Sequence, residues 1–336
     1  MKHIAKILIF ILTAGIALQA SAAYKYKTTR TGLVVYRDSL DQVWAMAPFK
    51  APVGSGKWYS DAINLCADSL AGKVRVYSMI APTSAAFYLP YATLTASSQQ
   101  QPVIKGMYRY LSHRVKPVDA YSELRRHVHE HIYARTDHHW LPLGAYYAAQ
   151  AFARTAGVSF LPLADYDTVV VHRFVGSMYH YTHDPAVKAS PEDFVYYTPR
   201  TVQYTTTYWL HRLNSRHKVI GVDDATQGNF FFHYKDGSGA AYCTFMGGDT
   251  RTTHVHTSTP GSRRLLIMKD SFGNAVAGFL MGSFSDIYVL DYRYMQGSLI
   301  KYIRDHGITD VLFINNLEHA YSKSTALALT RLIQQQ

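Results

Sequence analysis

The sequence contains only two cysteines, Cys66 and Cys243, in 336 residues. Two cysteines exclude a disulfide-built scaffold, and a single bridge in an oxidising compartment is the most they can form. Beyond residue 22 no apolar run is long enough to cross a bilayer as a helix, so no transmembrane helix is expected there. Extended basic runs are missing too, and nothing exceeds the dipeptides Arg125-Arg126 and Arg263-Arg264. Nucleic acid is therefore not an expected partner, although the formal net charge is +11.

The N-terminus has its own pattern. Lys2 and Lys6 form a basic region, Ile7 to Leu18 a mostly apolar one, and Ala20-Ser21-Ala22 a small-residue cleavage site. Residues 1–22 read as a signal peptide, so the expected location is periplasmic or secreted. No cysteine stands at the cleavage point, and a lipoprotein anchor is not indicated. Loss of Lys2 and Lys6 lowers the net charge by two, to +9. About 310 residues remain, enough for one large α/β domain or two small ones. Tyrosine is abundant, at 27 residues. Its rings suit either a sugar-facing surface or the cover of a β-rich body.

Residues 23–57 are poorly patterned and read as an N-terminal extension. From residue 58 onward, Tyr59 to Leu70 is an amphipathic helix and Val74 to Ile80 a buried strand. Helices are expected over Gln101 to Val115 and Ser122 to Glu130, then a short strand over Ile132 to Arg135. Pro142 suits the first turn of a helix continuing to Thr155. Between about 169 and 264 the pattern turns β-rich and reads as an insertion within one domain. There Phe230–Tyr234 and Ala240–Phe245 flank a turn-like Lys235–Gly239, a hairpin signature. Strands at Leu265–Met268, Ile287–Leu290 and Val311–Ile314 then alternate with helices at Asn274–Met281, Leu299–Asp305 and Thr325–Ile333. This alternation implies a parallel sheet covered on both faces, with ligands at the carboxyl ends of its strands. Ser271, the Asp291-Tyr292-Arg293-Tyr294 loop and Asn315-Asn316 each follow such a strand, so the three should meet at one edge.

Two segments carry the chemistry. Thr136-Asp137-His138-His139-Trp140-Leu141-Pro142 places a carboxylate and an imidazole two positions apart just before a helix. Lys269-Asp270-Ser271-Phe272-Gly273-Asn274 places a serine between an apolar strand and a helix, whose free N–H groups suit an oxyanion. Carboxylate, imidazole and hydroxyl are the parts that activate a serine nucleophile, in any chain order. Each segment alone also fits a simpler role, with Asp137 capping one helix and Asp270 or Ser271 the other. His138, one position from His139, should point elsewhere. His127-x-His129-x-His131 and His254-x-His256 have metal-like spacing but complete no ligand set, so no metal is expected. If Gly176–Tyr181 were a strand, Tyr179 and Tyr181 would share one face. Arg293 and Tyr294 would lie near Ser271 and contact an acceptor.

Taken together, the two segments resemble a known family. Thr136 to Ala145 is similar to the signature of the DHHW proteins, named for residues Asp137 to Trp140, and Lys269 to Asn274 resembles that family's serine segment. Both are similar to motifs of the alginate O-acetylation proteins, which are SGNH-hydrolase-like with the Asp–His motif placed before the serine. The resemblance runs from about Trp58 to the C-terminus. It implies a flavodoxin-like three-layer α/β/α fold, with Ser271 as nucleophile and His139 and Asp137 on the base side. Lys269 departs from the Gly-Asp-Ser of many SGNH enzymes, and Asp-x-His is shorter than their usual Asp-x-x-His. Asn315 or Asn316 is the counterpart of the oxyanion-hole asparagine, although Gly-x-Asn-Asp is absent. The implied function is an exported, serine-dependent O-acyl (O-acetyl) transferase or esterase acting on an envelope or extracellular glycan. A non-catalytic glycan-binding or assembly protein on the same scaffold is the alternative. No cofactor is expected, and a membrane-bound O-acyltransferase is the partner that the resemblance implies.

Overall fold

Continuous apolar runs mark strands buried on both faces, and three of them form the centre of this protein. The computed structural model describes residues 26–51, 56–95 and 99–335. The expected signal peptide, 1–22, lies outside the described residues. Strands β1 (Tyr26–Thr28), β2 (Val34–Arg37) and β3 (Val43–Met46) form a small antiparallel sheet. Next come α1 (Lys57–Ser69), β4 (Arg75–Ala81), α2 (Ala85–Tyr88), α3 (Gln100–Tyr108), β5 (Val115–Val118), α4 (Ala120–Arg126) and α5 (Pro142–Ala156). Then follow β6 (Tyr166–Phe174), α6 (Ser177–Thr182), α7 (Pro185–Lys188), β7 (Glu192–Pro199), β8 (Tyr204–Leu213), β9 (Val219–Val222), β10 (Thr226–Gln227) and β11 (Arg251–Thr257). The last part holds β12 (Arg264–Lys269), α8 (Gly273–Phe279), β13 (Asp286–Asp291), α9 (Leu299–Asp305), β14 (Asp310–Asn316), α10 (Leu317–Tyr321) and α11 (Lys323–Gln334).

The central sheet has nine strands, eight of them in the order β10-β8-β11-β13-β12-β14-β4-β5 with β9 on β8. Strands β13, β12, β14, β4 and β5 run parallel, whereas β11 and β8 join antiparallel beyond β13. The sheet is therefore mixed and mostly parallel: the expected strands β4, β12, β13 and β14 run parallel, and β11 and β8 add an antiparallel part. Much of the β-rich region extends this sheet, and β6 and β7 pair separately. Alternate residues sort to the two faces. Leu265, Ile267, Val289, Leu312 and Ile314 enter one hydrophobic cluster, while Leu266, Met268, Leu290, Val311 and Phe313 enter another. Helices α5 and α8 supply the first cluster, and α1, α9 and α11 the second.

Several local expectations fail for identifiable reasons. The helix expected to reach Val115 ends at Tyr108, and Val115–Val118 is an edge strand whose Pro117 an edge tolerates. Ile132–Arg135 is not a strand, because only Tyr133 pairs, across a pinched loop, with Trp140. The expected hairpin is reduced to one bridge, Phe231 to Phe245, and Ala241–Thr244 winds into a short 3₁₀ turn. Phe230, Phe231, Tyr242 and Phe245 are buried in the core instead of lining a ladder. Residues 177–182 are helical, so Tyr179 and Tyr181 do not share a face. Cys66 and Cys243 are both free. The tyrosine surplus serves the interior more than a sugar-facing surface: Tyr59, Tyr77 and Tyr196 are among the most buried large side chains. Among the described residues no helix is long and apolar enough to cross a membrane.

Strand β12 sits where the topology reverses, since the chain moves from it to β13 on one side and then crosses to β14 on the other. A crevice opens at the carboxyl end of such a strand. The residues at that end are fastened by charge. Lys269, 1% exposed, places its Nζ 3.0 Å from both Asp249 and Asp291. Arg293 reaches Asp249 at 2.8 Å and Asp291 at 2.6 Å. Burial pushes the Lys269 ammonium towards neutrality, but the two carboxylates win and hold its pKa above the ordinary value. Lys269→Met should therefore leave two carboxylates to one guanidinium and cost about 3 kcal/mol of stability. Denaturant unfolding checks this, and a loss within experimental error of zero would contradict the account.

Candidate active site

The loop before α5 is drawn tight by its own backbone. The Leu141 N–H donates to the Ile132 carbonyl at 2.9 Å, and the Ala134 N–H to the His139 carbonyl at 3.4 Å. Glu192, buried at the start of β7, accepts from the N–H groups of Arg135 and Thr136 and from the Thr136 hydroxyl. Burial raises the Glu192 pKa, against the pull of those donors. So held, residues 136–139 lean over the end of β12.

Across that gap, 132 residues apart in sequence, His139 Nε2 lies 2.7 Å from Ser271 Oγ. His139 Nδ1 lies 2.6 Å from Asp137 Oδ1, and Asp137 also accepts from the His139 and Ser177 N–H groups at 3.0 and 2.8 Å. With Nδ1 protonated towards Asp137, Nε2 is free to accept the serine proton. Burial pushes the Asp137 carboxyl up, but the adjacent His139 imidazole and the Ser177 N–H hold it far below the usual carboxylate range. It is a fixed anion behind the imidazole.

Aromatic groups set the remaining geometry. The Tyr242 ring stacks on His139 with centroids 3.8 Å apart and planes 6° apart. Its hydroxyl donates to the Ser271 carbonyl at 3.0 Å. Trp140 is fully buried and donates its indole N–H to the Phe272 carbonyl at 3.1 Å. One loop thus supplies the imidazole and also grips the serine turn. Neither Asp270 nor Ser271 caps α8, whose N-cap is Phe272. The Ser271 N–H donates to no acceptor among the described residues.

A cavity of about 500 Å³ opens over this group, lined by Ser271, His139, His138, Asn316, His319 and Arg293 among others. His138 does not point elsewhere, as expected, but faces the same cavity, its Nδ1 2.6 Å from Ser177 Oγ. Burial and the neighbouring His139 push its pKa down to about 4. Asn316 reaches the cavity with its carboxamide oxygen accepting from the His319 N–H at 3.0 Å. Asn315 does not: its side chain is fully buried and accepts from Tyr59 at 2.8 Å. That correction follows from strand alternation, since adjacent residues of β14 point to opposite faces. Arg293 lines the cavity while bonded to Asp291 and Asp249, and Tyr294 lies under its guanidinium and outside the lining. Tyr181 lines the cavity and Tyr179 does not.

Asp137, His138 and His139 present ligand-type atoms within 4.8 Å of one another. These atoms are engaged with each other and with Ser177, the pattern of an oriented base. Of the other histidines with metal-like spacing, His127 stacks on Tyr147 and bonds Glu130, while His254 and His256 share Asp286.

Sequence reading missed Glu192, Tyr242, Asp249 and His319 as parts of this site. For His319 a signal existed: Asn316-Leu317-Glu318-His319 begins with a capping residue that places position 319 one helical turn away. The other three are long-range partners with no local pattern.

The chain as a whole is similar to several known proteins. The family model described as DHHW protein matches residues 21–290. The solved structure of a DHHW family protein from Eubacterium siraeum DSM 15702 is 33% identical, with a TM-score of 0.83 over 93% of this chain and 99% of that one. Bacillus cereus PatB1, solved with a sulfonyl adduct, is 19% identical, with a TM-score of 0.68 over 90% of this chain and 99% of that one, a likeness of fold. The O-acetyltransferase domain of Pseudomonas putida AlgJ is 13% identical, with a TM-score of 0.47 over 92% of this chain and 99% of that one. No curated protein matches the chain.

Gly176 permits the closest approach to the site's anion, because a Cβ there would fall onto the Asp137 carboxylate. Gly176→Ala should displace Asp137 from His139 and leave the imidazole unoriented. The reactivity of Ser271 towards a sulfonyl fluoride should then fall between about a hundredfold and ten-thousandfold, with the far-UV spectrum unchanged. Undiminished labelling of Ser271 would show that Asp137 does not govern the imidazole.

Proposed function

This chain belongs to the DHHW protein family, and we propose that it is an exported, serine-dependent O-acyl transferase or esterase. Its acyl group would be acetyl and its substrate an envelope or extracellular glycan. The observation that carries this reading is the unbroken run of short contacts from Asp137 through His139 to Ser271.

In this mechanism Ser271 Oγ attacks the acyl carbonyl as its proton passes to His139 Nε2. The Asp137 carboxylate holds the tautomer and stabilises the imidazolium that forms. Negative charge develops on the former carbonyl oxygen. The Ser271 N–H and the Asn316 carboxamide N–H are the donors assigned to it, one from each side of the β12–β14 crevice. The protonated His139 then returns its proton to the leaving oxygen, and an acyl-serine remains. Water or a sugar hydroxyl, deprotonated in turn by His139, attacks the acyl carbon and regenerates the serine. Hydrolysis and transfer share every step but the last.

The Ser271→Ala variant should reduce turnover of an acetyl ester by about three to six orders of magnitude. Wild-type turnover by that variant would sink the reading and leave a glycan-binding role on the same scaffold.

Export implies that the acyl donor must be delivered, and we assign that delivery to a membrane-bound O-acyltransferase. Deleting a membrane acyltransferase gene adjacent to this one should abolish glycan acylation in the intact cell. Unchanged acylation would remove that partner from the account.

A further inference from the structure

A second carboxylate–imidazole pair faces the same cavity, and the mechanism above makes no use of it. Asp270, directly before the proposed nucleophile, is fully buried. Its Oδ1 accepts from the Phe272 N–H at 3.0 Å, and its Oδ2 from the Asn316 N–H at 2.8 Å. His319 Nδ1 lies 2.9 Å from that same Oδ2. His319 is held from behind by its own N–H, which donates to Asn316 Oδ1. Its side chain is 38% exposed and lines the cavity. The bond to Asp270 fixes the ring's Nδ1 edge, so Nε2 is the edge left for a ligand. A buried carboxylate that orients an imidazole towards a reaction cavity, on the nucleophile's own turn, is more than a helix cap requires.

The charges around His319 define what it can meet. Asp249 and Glu318 carry carboxylates on the cavity wall. The guanidinium of Arg293 is already shared by Asp291 and Asp249. Asp249 is already neutralised by Lys269 and Arg293, so an anionic sugar entering here would meet the Glu318 carboxylate with no uncommitted lysine or arginine among the described lining residues. A hydroxyl-rich neutral sugar meets donors and acceptors in mixture. A hydroxyl can also donate to or accept from Nε2, so the contact survives a change in the protonation of His319. The hydrogen bond to Asp270 holds the His319 pKa above the ordinary imidazole value against the opposing effect of burial.

We propose that His319, oriented by Asp270, positions a neutral, hydroxyl-bearing glycan as the acyl acceptor and thereby favours transfer over hydrolysis. This inference rests on the serine reading given above. In the transfer step the acceptor oxygen forms a new ester bond to the acyl carbon, and the bond from that carbon to Ser271 Oγ breaks. The acceptor's proton passes through His139 to Ser271. His319 takes no proton in this step. It holds a neighbouring hydroxyl of the same sugar so that the attacking one is in line.

The test partitions the acyl-enzyme. The mature full-length protein is given 4-nitrophenyl acetate with chitopentaose or pentagalacturonate, and nitrophenolate release and acetylated oligosaccharide are both measured. In His319→Ala, transfer to chitopentaose should fall about 100-fold and nitrophenolate release by less than about tenfold. His319→Gln, which keeps a polar group at that reach, should recover part of the transfer. Pentagalacturonate should be the poorer acceptor for the wild type. Equal losses of transfer and release in both variants, an unchanged ratio, or preference for pentagalacturonate would overturn the inference. If the wild type releases nitrophenolate no faster than its Ser271→Ala variant, the serine reading fails and this inference falls with it. Normal release without the His319-dependent ratio fails this inference alone.

Discussion

The site is organised by two carboxylates buried on either side of one serine. An ionised carboxylate without partners is too costly to hold in a protein interior, so each must collect donors. Asp137 gathers the His139 imidazole and the N–H groups of residues 139 and 177. Asp270 gathers the N–H groups of residues 272 and 316 and the His319 imidazole. Satisfying the first brings the 136–139 loop over β12 and draws α6 against it. Satisfying the second ties the serine turn to the end of β14. The position of Ser271 is the joint solution.

The sheet makes that solution available. Parallel strands bring their carboxyl ends to one edge, and the reversal at β12 leaves a crevice there. Lys269 then anchors the strand end from below by neutralising Asp249 and Asp291. Directly before Asp270-Ser271 the chain thus carries a buried cation. Its charge belongs to the wall of the site, which also absorbs Arg293. The result is a cavity with many polar groups and little unbalanced charge.

Much of this was legible in the sequence, and the exceptions share a cause. Strands β12, β13 and β14 could be read because burial on both faces leaves uninterrupted apolar runs. The Asp137, His139 and Ser271 segments could be read because each stands at a strand or helix boundary. Strand β5 was hidden because Lys116 and Pro117 interrupt its apolar pattern at a sheet edge. Residues 177–182 imitate a strand through a Tyr-His-Tyr alternation, yet Ser177 must donate its N–H to Asp137 and the chain turns helical there. The 230–245 segment carries turn residues suited to a hairpin, but its aromatic rings gain more from burial against β7 and α8 than from pairing. Glu192, Tyr242 and Asp249 act on residues far away in sequence, where no local rule reaches.

The central claim is that Ser271 becomes covalently acylated through His139. Rapid mixing with an activated acetyl ester, an acid quench within the first turnover and peptide mapping by mass spectrometry test it directly. The account predicts one acetyl group, on the peptide containing Ser271, formed in the wild type and lost when His139 is replaced by alanine. Acetylation of other residues with Ser271 unmodified, or of Ser271 at the same rate without His139, would contradict it.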